Sequence, residues 1–361
     1  MRIAIAVVLA FLTAGTPRAQ QPDVEAVARR AWDAVNAGRA AEAEALFEQA
    51  LRALPDSPAL LLGAAAAALL AGRADAARLH LVNALARDHR FTPASVMLGQ
   101  VLYSQGDLAG AITVYEEALR YAPTDRQLTQ RIERWRQEAA LHDGFTQRIG
   151  THFTVLFEGP AEAPLAARAV DVLEKAYWRI GAALYAYPTD IITVVLYTRE
   201  QFRDVTQSPA WAGGAFDGRI RVPVQGALDN SVEFERVLAH ELTHAFVRSI
   251  AGRTAPTWLN EGLAIYFEGS DVSRHAERLK AASARLPLVR LEDGFSGFDA
   301  AQARIAYAES AVAVARLFRE AGPTAVANLL GDLATQMPFA AAFERNVGMS
   351  YEAFQQALSP L

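Results

Sequence analysis

Between residues 23 and 123 the apolar and small positions recur at helical spacing, and the whole pattern then repeats at a longer period. Gly38, Gly72 and Gly106 lie 34 positions apart, as do Ala43, Ala77 and Ala111, Ala50, Ala84 and Ala118, and Leu51, Leu85 and Leu119. Phe47, Leu81 and Tyr115 fill one large position per unit, and Pro55 and Pro123 close the first and third. This predicts three helical hairpins whose stacking buries a stripe that no single unit could cover. The run LLLGAAAAALLA over 60–71 is then the first helix of the second hairpin, not a membrane segment. The charged stretch that follows, with Leu128, Ile132 and Trp135 on one side, predicts a capping helix and linker over 124–150. Beyond Gly150 the period changes to alternation. Strands are expected at 152–159 and 190–198, with helical spacing over 164–185 between them. A third strand is expected at 218–226, after Gly213 and Gly214, with Pro223 confining it to a sheet edge or to its own end. A helix over 231–251 follows, then one that starts after Pro256 with Thr257 as a candidate cap, and further helices over 306–322 and 343–358.

The 34-residue unit resembles the tetratricopeptide repeat, here spanning 21–123. The resemblance implies a groove for a peptide or protein partner; a rigid spacer is the alternative. The fold class expected is multi-domain, an all-α solenoid followed by an α+β domain over 151–361.

Composition narrows the chemistry. A chain of 361 residues, 52% hydrophobic, suits two modest cores. Cysteine is absent, so disulfides, thiolate ligands and a cysteine nucleophile are excluded, and a metal would need histidine and carboxylate. Residues 1–20 place Arg2 before an apolar run from Ile3 to Leu12 and then small and polar residues, the pattern of a signal peptide cut near Ala19. Export to a periplasm or exterior is expected, with no stable membrane span once that segment is removed. Loss of Arg2 and Arg18 would take the net charge from -5 to -7, which disfavours nucleic acid as a partner.

The candidate chemistry lies in HELTH, residues 240–244. On a helix His240 and His244 project from one face about a turn apart, spaced to grip one ion, and Glu241 can reach a water on that ion without being a ligand. A third ligand is offered by Glu261 in PTWLNEGLAIYFEG, 17 positions after His244. Two histidines and a glutamate form a zinc set that leaves a fourth position open to water.

HELTH followed by WLNEGLA resembles the gluzincins, the thermolysin-like MA clan of metallopeptidases, in their compact peptidase-MA-like form. The resemblance implies a thermolysin-like zincin domain, Zn2+ held by His240, His244 and Glu261, and Glu241 as general base. It also implies an oxyanion donor from a later helix: Tyr307 is the candidate, with Tyr266 and His275 behind it, and an ordinary half-buried aromatic is the alternative for Tyr307. An extended substrate would add a strand beside 213–224. One departure stands out, because thermolysin-like sequences carry an aspartate where this chain has Ile265. Asn260 or Glu268 is then expected to orient a zinc histidine. His80, His89, His142 and His152 are expected in surface or structural roles. The function expected is an exported zinc endopeptidase whose repeats recruit or position a protein substrate. The alternative is a scaffold with a structural or residual zinc site.

Overall fold

The computed structural model describes residues 21–207, 213–224, 231–282, 284–295 and 297–358. The expected signal segment lies outside them. Six helices form three hairpins: α1 (Gln21–Asn36) with α2 (Ala40–Ala53), α3 (Pro58–Leu70) with α4 (Ala74–Arg87), and α5 (Thr92–Ser104) with α6 (Leu108–Tyr121). Gly38, Gly72 and Gly106 close them at φ between 76° and 88°, a left-handed conformation that costs a residue with a Cβ roughly 1 kcal/mol or more. Phe47, Leu81 and Tyr115 are fully buried between helices. Helix α7 (Arg126–His142) buries Leu128, Ile132 and Trp135 against the third hairpin.

A five-stranded sheet follows, in the order β1-β2-β3-β5-β4: β1 (Phe145–Ile149), β2 (Phe153–Glu158), β3 (Ile192–Tyr197), β4 (Ala215–Phe216) and β5 (Ile220–Pro223). The central pairs are parallel and both edges are antiparallel. Two strands depart from expectation. β1 falls in the stretch assigned to linker, because FTQRI has few β-branched residues and is mostly exposed. β5 is shorter than expected and not at an edge, since the two-residue β4 covers it; Pro223 ends it.

Alternation along the strands feeds two layers. Phe153, Val155, Val194, Leu196, Ile220 and Val222 point into the main core, which α8 (Ala163–Leu184) and α10 (Ser231–Ala251) cover. Val195 and Tyr197 point the other way, onto Phe202 of α9 (Arg199–Thr206), Leu141 of α7 and Phe145. Then come α11 (Thr257–Glu268), α12 (Val272–Ala281), α13 (Ala300–Ala334), α14 (Phe339–Val347) and α15 (Tyr351–Leu358). Thr257 does not cap α11: Pro256 holds that position, and the Thr257 amide donates to the Glu292 carbonyl at 3.0 Å. Helix α13 runs beyond the expected 306–322 and bends where Gly322 takes φ 81° before Pro323. Among the described residues no helix is long and apolar enough to cross a membrane.

The repeat array is joined to the sheet by a buried polar chain. Glu138 of α7 and Arg221 of β5 are 3% and 1% exposed and bond at 2.8 Å. Arg221 also donates to the Tyr197 hydroxyl at 2.7 Å, and that hydroxyl meets Nε2 of His142 at 2.7 Å. The Tyr197 hydroxyl has a proton and a second lone pair left after accepting from Arg221, so neutral His142 can pair with it in either tautomer. Burial, reinforced by Arg219 and Arg221 against the opposing pull of Glu138 and Asp143, lowers the His142 pKa from 6.5 to about 4. Between those values the unfolded chain binds a proton that the folded chain refuses. His142 therefore contributes stability above 6.5 that is lost as pH falls toward about 4. Urea unfolding at pH about 7 and about 4.5 should show a larger loss for the wild-type chain than for His142→Gln.

Candidate metal centre

Helix α10 buries Phe234, Val237, Leu238, Leu242 and Phe246, which fixes its rotation and turns His240 and His244 toward α11. Gly252, at φ 62°, reverses the chain between the two helices. The imidazole rings lie 4.9 Å apart at 84°. Glu261 of α11 reaches between them: its Oε2 is 3.5 Å from Nε2 of His240 and 3.7 Å from Nε2 of His244. One ligand atom from each of the three residues lies within 4.8 Å of the others. Tetrahedral zinc, with bonds of about 2.0–2.2 Å to nitrogen and oxygen, needs ligand atoms roughly 3.4 Å apart, so the donor set fits with small adjustments.

The outer nitrogens are already committed. Nδ1 of His240 meets Glu268 Oε2 at 2.6 Å, and Nδ1 of His244 meets Asn260 Oδ1 at 3.1 Å. Each bond leaves Nε2 facing the shared space, the arrangement that orients a metal-binding imidazole. Ile265 is buried in the core, and the carboxylate arrives instead from Glu268, at the end of the same helix. Glu268 is itself held by Arg236, at 2.5 Å, and by Ser270. Arg236 escaped the sequence reading, although its place one turn before His240 was a usable signal. Glu268→Ala should weaken metal affinity about 10- to 100-fold without removing the site, as measured by competition with a chelating dye.

Charge explains why the pocket suits a cation. Burial alone would lower the His240 pKa, but hydrogen bonds to Glu261 and Glu268 and the charge of Glu241 raise it to about 10. Burial would raise Glu261, yet His244 and His240 hold it below the usual carboxylate range. Glu241 moves the other way: burial raises it, and Glu261 and Glu268 add to the shift against the two histidines. Three carboxylates thus crowd one space, the side chains of Glu241 and Glu268 buried and that of Glu261 partly exposed, and they call for a positive charge.

Comparison with known families gives matches in both halves of the chain. The profile described as Peptidase MA superfamily matches residues 168–358, more than half of the chain. The chain belongs to the Peptidase MA superfamily. Its match runs from α8 to α15 and takes in both HELTH and Glu261. A tetratricopeptide profile matches 68–130. The Peptidase MA chain is thus a peptidase-like protein with tetratricopeptide repeats. No curated protein matches it. Among solved structures it is similar to the first tetratricopeptide domain of Spaghetti (RPAP3) bound to the HSP90 peptide SRMEEVD, at 20% identity over 33% of this chain and 97% of that one, with TM-score 0.32. It is likewise similar to the first such domain of human RPAP3, at 20% identity over 33% and 93% of the two chains, with TM-score 0.31.

Two further groups flank the carboxylates of this Peptidase MA site. Tyr307 of α13 stands edge-on to Phe295, and its hydroxyl pKa is raised by burial and then by the charges of Glu261 and Glu241. What brings α13 so near is Gly262, where a Cβ would collide with the Ser310 carbonyl. Tyr266, by contrast, is 38% exposed and stacks on Phe318 at 4.1 Å, and His275 lies in the field of Arg278, Glu268 and Arg236. On the opposite side Gly214, just before β4, lies against Glu241: a Cβ there would come within 2.7 Å of its Oε1.

Proposed function

We propose that the chain is an exported zinc metallopeptidase in which His240, His244 and Glu261 hold the ion, Glu241 is the general base and Tyr307 is the oxyanion donor. The observation that carries this is the convergence of two Nε2 atoms and one carboxylate oxygen, with both Nδ1 atoms already bonded elsewhere. Among the described residues three protein donors converge, which suits a catalytic ion better than a structural one, which takes four. What a bound zinc supplies is polarisation of the scissile carbonyl and a water whose pKa falls toward about 7.

The protein's own groups do the rest. Glu241, whose burial favours a held proton, accepts one from the attacking water and passes it to the leaving amine. Tyr307 donates its hydroxyl hydrogen to the oxygen on which negative charge develops. Gly214 screens Glu241 from bulk water. The β4 edge offers backbone groups to an extended substrate, which favours cleavage within a protein chain. The repeats recruit or position that protein.

Purified protein should contain about one zinc per chain. Chelation should abolish hydrolysis of fluorescein-labelled casein, and added zinc should restore it. A chain that binds no zinc, or hydrolysis indifferent to the chelator, overturns the assignment and leaves a scaffold protein.

A further inference from the structure

We propose that the repeat array sets the catalytic centre through one buried relay: Glu138 of α7 holds Arg221, the β5 backbone holds β4, and β4 holds Gly214 against Glu241. Its catalytic consequence rests on the function proposed above.

The relay can be followed bond by bond. Ile220 and Val222 point into the core beneath α10, so Arg221 between them leaves the sheet on the opposite face. There its guanidinium meets four partners. Nη1 donates to Glu138 at 2.8 Å and to the Tyr197 hydroxyl at 2.7 Å, Nη2 to the Tyr103 hydroxyl at 2.9 Å, and Nε to Asp217 at 3.1 Å. Two of these, Tyr103 and Glu138, belong to the array, and the Tyr103 hydroxyl donates to Glu138 at 2.7 Å. Tyr103 in turn stacks on Trp135, ring centres 5.0 Å apart.

From Arg221 the path to the site is short. Its backbone pairs with Ala215, and Ile220 pairs with Phe216. Ala215 follows Gly214, the residue pressed against Glu241. The hairpin turn is gripped from the same side: Arg219 donates to the Gly106 carbonyl at 2.5 Å, and Gly218 lies so close to Ser104 that a Cβ would collide with its carbonyl. A two-residue strand has too few ladder bonds to hold its own position. The array supplies the missing constraint. A simple tether would need no buried charge at this junction, whereas a guanidinium with four directed bonds fixes the orientation of the strand that carries it. The repeats are thus part of the active unit as well as a recruiting surface.

The test uses the full chain with Glu138→Gln, Tyr103→Phe, and the double replacement of Glu138 and Arg221 by methionine, which removes the bonded pair together and leaves Arg219, 3.5 Å from Glu138, its bond to the Gly106 carbonyl. Amide hydrogen exchange should speed up by about 10-fold or more across 213–224 in Glu138→Gln, less in Tyr103→Phe, while 234–246 keeps its protection. With labelled casein and matched zinc content, kcat should fall roughly 10- to 100-fold in Glu138→Gln, the effect of a small misplacement at a reacting group. The double variant should melt above Glu138→Gln, which leaves both Arg219 and Arg221 without that carboxylate, and still show the loss. Unchanged exchange in Glu138→Gln overturns the relay, as does faster exchange with an unchanged kcat. Full recovery of kcat in the double variant also overturns it, because the pair would then serve folding alone. A wild-type chain that leaves casein intact would sink the peptidase assignment instead, and the exchange result would decide the relay without it.

Discussion

Glu241→Gln should keep the zinc and lose about 10²- to 10⁴-fold in peptide hydrolysis, the usual worth of a positioned general base. Glutamine has nearly the same shape, so contact with Gly214 survives. Glu241 is not among the three converging donors, so the ligand set survives too. What disappears is the ability to accept a proton, and among the described residues the two neighbouring carboxylates do not replace it: Glu261 is held below the usual carboxylate range by both histidines, and Glu268 is committed to His240 and Arg236. Zinc content and kcat on labelled casein, measured on the same preparation, decide the matter. A variant as active as the wild-type chain would mean that the base is another group.

Glu261→Ala should act on the metal first. Removing an outer partner such as Glu268 weakens affinity about 10- to 100-fold, and removing a donor should cost more than that. The remaining His240 and His244 belong to one helix and cannot enclose an ion alone. The loss should appear as zinc released during dialysis, with hydrolysis restored only in part by excess zinc. Retention of one zinc per chain by this variant would remove Glu261 from the ligand set. Its folding is not at risk in the same way, since the side chain is partly exposed beside the two imidazoles.

Much of this molecule could be read from its sequence where a local period carries the information. The 34-residue spacing set out the hairpins, because each repeat makes the same contacts as its neighbour. The His240–His244 spacing indicated a shared face because a helix fixes that geometry within one turn. What escaped depends on partners distant in the chain. Glu138 has no local signal within the charged stretch over 124–150, and its partner Arg221 lies 83 positions away on a strand. The exposed β1 and the two-residue β4 had no apolar alternation to betray them. Arg236 and Glu268 are legible only once α10 and α11 are known to fold side by side. Whether Asn260 or Glu268 would stand in for the missing aspartate was open, and the geometry uses both, one on each histidine.

Gly262 follows the third candidate ligand directly, and its backbone rests on that of Ser310. Gly262 puts no side chain of its own into that gap, so the separation between the helix bearing Glu261 and the helix bearing Tyr307 is set by the Ser310 main chain and the Val314 methyl group. Side-chain volumes elsewhere on either helix can change while that spacing holds, provided Gly262 and Val314 keep their size, so the reach from carboxylate to phenol depends on two small neighbours and not on the whole core.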